Sequence, residues 1–89
     1  MFSIRWPKAV NRKLLEASAS ADGPGLSVLL TAMADIESHL HNEPEFVGES
    51  RDADHRLLII NPLSVTYKID FRHRIVKIVR VRIQPTAEQ

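Results

Sequence analysis

Eight of the twelve Lys and Arg side chains, and two of the four histidines, fall between Arg51 and Arg82. Guanidinium and ammonium groups beside imidazole can bind a phosphate and move a proton next to it. The cations hold the phosphate and offset the charge that builds on it, and the imidazole moves protons near neutral pH. His73, flanked by Arg72 and Arg74, and His55 are the candidate proton carriers. Arg5, Arg51, Arg56, Lys68, Arg80 and Arg82 are the candidate cations for contacting nucleic acid or an acidic partner. For His73 the competing reading is a solvent-exposed turn tip.

Other chemistries are poorly served. The chain has no cysteine, which removes thiolate nucleophiles, disulfides and cysteine zinc sites. His39 and His41, two apart at a helix end, point apart, and His55 and His73 fall on separate loops, so no metal site is expected. Asp52-Ala53-Asp54 lacks the glycine and closing glutamate of a calcium loop and reads as a solvated turn. Asp22-Gly23-Pro24-Gly25 lacks the Lys-Ser/Thr of a phosphate loop and reads as a turn between helices. No cofactor is expected.

The net charge of +1 conceals segregation along the chain. Four cations against Glu16 lie in residues 1–20, six carboxylates with no Lys or Arg lie in residues 21–50, and eight cations against Asp52, Asp54 and Asp70 lie in residues 51–84. Such a distribution suits a polyanion or acidic partner meeting one surface. It equally suits an acidic helix neutralising basic strands within the fold.

These residues must be positioned by the elements around them. Phe2-Ser3-Ile4-Arg5-Trp6 alternates as a strand with Phe2, Ile4 and Trp6 facing a core, and Pro7 ends it. Val10, Leu14 and Ala17 predict a helix over 7–19, with Pro7 at its first position. Leu26, Leu29, Leu30, Met33, Ile36 and Leu40 predict a second amphipathic helix of about four turns. His41 to His55 is polar, acidic and broken by Pro44 and Gly48, which predicts a long connecting loop pinned by Phe46 and Val47.

Arg56 to Ile60 is continuously apolar, as in a strand covered on both faces. Leu63, Val65, Tyr67, Ile69 and Phe71 then alternate with Ser64, Thr66, Lys68 and Asp70. Tyr67 falls on the core side and reads as a core aromatic with a solvated hydroxyl. Strict alternation in the last strand places Ile75, Lys77, Val79, Val81 and Ile83 on the core side, and Arg74, Val76, Ile78, Arg80 and Arg82 opposite, until Pro85 stops it. The expected fold is one α+β domain over residues 1–89, β-α-α-β-β-β, with a twisted, mainly antiparallel sheet and a two-helix hairpin on one face. The other face would display Ser3, Arg5, Ser64, Thr66, Lys68, Arg80 and Arg82. Those cations would either hold phosphate or protect an edge strand from pairing with other chains.

The element order, Trp6-x-x-Ala9, Gly48-Glu49-Ser50-Arg51, LLIINPLSVTYKID over residues 57–70 and the basic closing strand resemble the RelE/ParE superfamily of type II toxin–antitoxin toxins. Pro62-Leu63-Ser64-Val65-Thr66-Tyr67 after an apolar strand is the most specific piece of the resemblance. It implies a bacterial or archaeal toxin neutralised by a cognate antitoxin. RelE-like members cut mRNA on the ribosome, and ParE-like members inhibit DNA gyrase without being nucleases. Where many mRNA-cutting members carry an arginine near the start of the third strand this chain has Ser64, and Gln84-Pro85 stand where basic residues usually follow the last strand. Two expectations therefore stay open: an mRNA interferase using the cations and histidines above, or a non-catalytic interaction module that inhibits gyrase or has lost toxicity. With no apolar run of about 18 residues and no basic-then-apolar leader, the expected setting is cytoplasmic, with no membrane partner.

Overall fold

The computed structural model describes residues 1–20, 23–51 and 54–83. Asp22 of the expected turn, Asp52-Ala53 and the Gln84-Pro85 strand stop lie outside the described residues. The elements run β1 (Ser3–Arg5), α1 (Lys8–Ser20), α2 (Gly23–Asn42), α3 (Pro44–Val47), β2 (Glu49–Ser50), β3 (His55–Ile60), β4 (Leu63–Asp70) and β5 (Ile75–Ile83). The architecture is α+β, as expected, with a five-stranded sheet of order β1-β5-β4-β3-β2. β1 pairs parallel with β5 and all other pairs are antiparallel.

One sheet face carries the core. Leu58, Leu63, Val65, Tyr67, Val76, Ile78 and Val81 meet Val10 and Leu14 of α1 and Leu29, Ala32, Ile36 and Leu40 of α2. Ile36, Leu40, Leu63, Val65, Tyr67 and Val76 are wholly buried. Each such side chain contributes about 1.5–3 kcal/mol relative to exposure, which is what holds the helices on the sheet. Lys13 Nζ donates to the Val81 carbonyl at 2.9 Å and ties α1 to β5. Phe2 N donates to the His41 carbonyl at 3.0 Å, and His41 Nδ1 lies 2.8 Å from the Phe2 carbonyl, so the end of α2 is stitched to the N-terminus.

Several local expectations are corrected. Gly23, Pro24 and Gly25 form the first turn of α2, which is longer than its apolar stripe. Proline fits there because the first turn of a helix leaves its N–H groups unbonded in any case. The stretch His41–His55 is not one loop. It contains the last residues of α2, the short α3 with Pro44 in its first turn, and the edge strand β2. β3 is not covered on both faces, since Leu58 is buried while Ile59 is exposed. No helix among the described residues is long and apolar enough to cross a membrane.

Candidate functional site

The site is built by a slip in the pairing of β4 with β5. Thr66 pairs with Arg80 but Tyr67 pairs with Ile78, leaving Val79 without an opposite number. A residue inserted in one strand shifts every later side chain to the other face. Val76 and Ile78 therefore point into the core before the slip and Val81 after it, while Val79 is exposed. This corrects the strict alternation expected for β5: Val76 and Ile78 are core residues, and Lys77 and Val79 are not.

With the slip, Lys77, Arg80 and Arg82 share the face opposite the helices. The register carries that face across the sheet. Arg5 lies beside Lys77, Lys77 beside Lys68, and Lys68 beside His55, in one row over four strands. The next row places Arg80 beside Thr66, Thr66 beside Leu57 and Leu57 beside Glu49, and a third places Arg82 beside Ser64 and Ser64 beside Ile59. Ser64, expected to be displayed, is buried between its two larger neighbours in register.

Arg51, His55, Leu57, Thr66, Val79, Arg80 and Arg82 line an open groove of about 430 Å³ on this face. Arg51 N donates to the His55 carbonyl at 2.8 Å, which fixes the turn entering β3, and the Arg51 guanidinium lies 3.3 Å from the Glu49 carboxylate. Three guanidinium groups and an imidazole around one concavity can bind a phosphate and move a proton beside it. Of the expected site residues, Arg51, His55, Arg80 and Arg82 are brought together here. Arg5 and Lys68 lie on the same face in the adjacent row. Lys77, which the alternation hid, belongs with them. Its signal was present in the sequence: Lys77 and Arg80 are three apart, so both face solvent only if the strand slips by one.

Arg56 and His73 are placed elsewhere. Arg56 shares the helix-side parity of Leu58, donates from Nη2 to the Gly48 carbonyl, and lines a separate recess with Glu45, Ser50, Asp54, Ile69 and Phe71. Arg56 Nε and Glu45 Oε1 are buried there without a hydrogen-bond partner. His73 sits in the β4–β5 turn, where its backbone N donates to Asp70 Oδ1 at 3.1 Å and its Nδ1 lies 2.8 Å from Asp70 Oδ2. These contacts with His73 hold the Asp70 carboxyl below the ordinary 3.8. Arg74 closes the turn in the left-handed region at φ 56°.

Tyr67 is inward and wholly buried, and its hydroxyl is not solvated as expected but donates to the Pro44 carbonyl at 2.7 Å. Burial pushes the phenol above its ordinary 10, against the pull of the nearby Arg56 guanidinium. Tyr67 is therefore a strut for the α3 segment and carries no proton to the groove.

No protein-family model matches the sequence, and comparison with curated proteins finds no relative. Solved structures do match. A chain of the RelBE2 toxin–antitoxin complex from Mycobacterium tuberculosis is 23% identical with a TM-score of 0.72, the match covering 93% of this chain and 98% of that one. The isolated E. coli RelE toxin is 9% identical with a TM-score of 0.67, over 99% and 89%. A chain of the chromosomal ParDE TA system from P. aeruginosa is 16% identical with a TM-score of 0.67, over 96% and 98%. With these matches running over nearly the full length of each chain, this chain has the RelE/ParE fold.

Proposed function

We propose that the protein is the toxin of a type II toxin–antitoxin pair, neutralised by a cognate antitoxin, and that it acts on RNA as a ribosome-dependent mRNA interferase. The fold shared with chains from RelBE2 and ParDE supports the first part. The observation that carries the second is the gathering of His55 with Arg51, Arg80 and Arg82 in one groove. In the reaction this arrangement suits, a ribose 2′-hydroxyl attacks the adjacent phosphorus and the P–O5′ bond breaks. One proton leaves the 2′-oxygen and one arrives on the 5′-oxygen, so the products are a 2′,3′-cyclic phosphate and a 5′-hydroxyl. His55 is the proton carrier, and the arginines offset the negative charge that grows on the non-bridging oxygens.

The antitoxin requires a surface of its own. Asn11, Leu14 and Leu15 of α1 and Leu30 and Met33 of α2 line an apolar groove, with Leu15 69% and Leu30 53% exposed. An amphipathic antitoxin helix laid there would cover them, leaving the outer sheet face for RNA.

Induced expression tests the reading. Growth arrest with transcript cuts mapped by primer extension, both abolished by His55→Ala, is the expected result. Arrest with intact transcripts and inhibited DNA supercoiling would replace the interferase with a gyrase inhibitor. Absence of arrest would leave a module that only binds its antitoxin.

A further inference from the structure

We propose that the outer sheet face extends the groove into a track for single-stranded RNA, which crosses β4, β5 and β1 over Lys68, Lys77 and Arg5. The inference rests on reading the groove as an RNA site and adds the path of the substrate beyond it. Lys68 and Lys77 are directly opposite in register, and Lys77 is directly opposite Arg5. Like charges so placed destabilise a sheet, because opposed side chains leave Cβ atoms only about 5 Å apart. Such a row has no purpose within the fold. Protection of a sheet edge would account for Arg5 on the edge strand β1 but not for Lys68 and Lys77, which are paired on both sides within the sheet. Neutralisation does not account for it either. Among the described residues no carboxylate forms an ion pair with Arg5, Lys68, Lys77, Arg80 or Arg82; Asp70 is engaged by His73 and Glu49 by Arg51.

The shape of the band indicates what neutralises it. From β1 to β3 the row spans about 14 Å, and the Arg80 row lies about 7 Å along the strands from it, so the band is one phosphodiester chain wide. On β4, beside Arg80 and Arg82, stand the half-buried Thr66 and the buried Ser64, side chains small enough for a nucleic-acid backbone to lie close to the sheet there. No Phe, Tyr or Trp side chain stands in these three rows. Contacts are therefore to phosphate rather than to stacked bases, and binding along the track is insensitive to base sequence and steeply dependent on salt.

The test uses the full chain and a 2′-O-methyl oligonucleotide of about ten nucleotides, long enough to fill such a site and unable to be cut. Affinity is followed by fluorescence anisotropy over a salt series for the wild type, Lys68→Gln/Lys77→Gln and Arg80→Gln/Arg82→Gln. Each pair removes two phosphate contacts, so each is expected to lower the slope of log K against log[salt] by about 1.4. Thermal melting is expected to show the lysine variant as stable as the wild type or more so, because repulsion is removed. Lys68→Arg/Lys77→Arg, which keeps the charge, is expected to keep the slope; a loss equal to that of the glutamine protein would overturn the track. Unchanged slope and affinity in the lysine variant, with loss in the arginine variant, would also overturn the track while leaving the groove an RNA site. Failure of the wild type to bind would remove both.

Discussion

The Tyr67 hydroxyl donates to the Pro44 carbonyl at 2.7 Å, joining the middle of β4 to the first turn of α3 inside the core. Tyr67→Phe leaves that carbonyl buried and unbonded, at a cost of about 1–3 kcal/mol. Urea denaturation is expected to show the loss, and RNA cleavage at a temperature where the variant is folded is expected to stay at the wild-type level. A large fall in cleavage with unchanged stability would make Tyr67 part of the site after all.

Gly48 is the one position where the same strut demands a glycine. Its φ of −106° is open to any residue, but a Cβ there would stand 2.5 Å from the Tyr67 hydroxyl oxygen and 2.9 Å from the Leu57 carbonyl. Gly48→Ala is expected to destabilise the protein by about 1–3 kcal/mol through overpacking. Because the nearest clash is with Tyr67, the double variant Gly48→Ala/Tyr67→Phe is expected to lose less than the two single losses added together. Strict additivity in denaturation midpoints would show that the strand carbonyl, not the phenol, sets the limit.

The two candidate histidines separate in a pH experiment. His55→Ala is expected to remove cleavage. His73→Ala is expected to keep cleavage within about twofold, since the effect of a distant turn residue on a rigid site is small, and to change the acid limb of the stability curve. The Asp70 carboxyl is lowered in the folded state by His73, so its contribution is present above the ordinary 3.8 and is lost as pH falls through the lowered folded value. Removing His73 moves that limb toward neutral pH, which chemical denaturation at a series of pH values would detect. An identical acid limb in the variant would show that the contact is idle in solution.

Replacing the middle cation of the row gives a prediction that needs no RNA. Lys77→Glu places a carboxylate between Arg5 and Lys68 and is expected to stabilise the fold by about 0.2–1 kcal/mol, with the gain shrinking at high salt. A lower denaturation midpoint in low salt would show that Lys77 is not in repulsive register with its neighbours.

For the proposed antitoxin surface, Leu15→Asp/Leu30→Asp changes two exposed positions, so the variant is expected to melt within a few degrees of the wild type, surface changes being worth about 0.5 kcal/mol or less. Co-purification with the antitoxin is expected to be lost, and growth arrest in its presence restored. Retained co-purification would move the antitoxin to another face.

Much of the fold was legible because burial on one face imposes a period. Val10 and Leu14, and Leu29, Ile36 and Leu40, mark the helix faces that the structure buries, and Leu63, Val65 and Tyr67 alternate as the core side of β4. What was not legible depended on partners distant in sequence. Whether Ile59 meets a helix or solvent depends on what lies over β3, and its neighbour Ile60 is chemically the same residue. The slip opposite Thr66 and Tyr67 is a property of two strands together, so strict alternation within β5 alone misplaced Val76, Lys77, Ile78 and Val79. Gly23 and Pro24 read as breakers because their tolerance in a first helical turn matters only once a helix follows. Of the residues lining the groove, Arg51, His55, Arg80 and Arg82 were candidates on chemistry alone, while their convergence came from the register, and Arg56 and His73 lie away from it, the one on the helix side of β3 and the other in the β4–β5 turn.

The parallel pairing of Ser3–Arg5 with Ile75–Lys77 sets an order of events during synthesis. β1 has no strand to join until β5 has been made, because the sheet order puts β5 between β1 and the rest. Long-range pairings of this kind form late, after the local elements they enclose. Arg5 thus joins Lys77 only after β5 has been synthesised, and a chain stopped before β5 never presents the full row of charge.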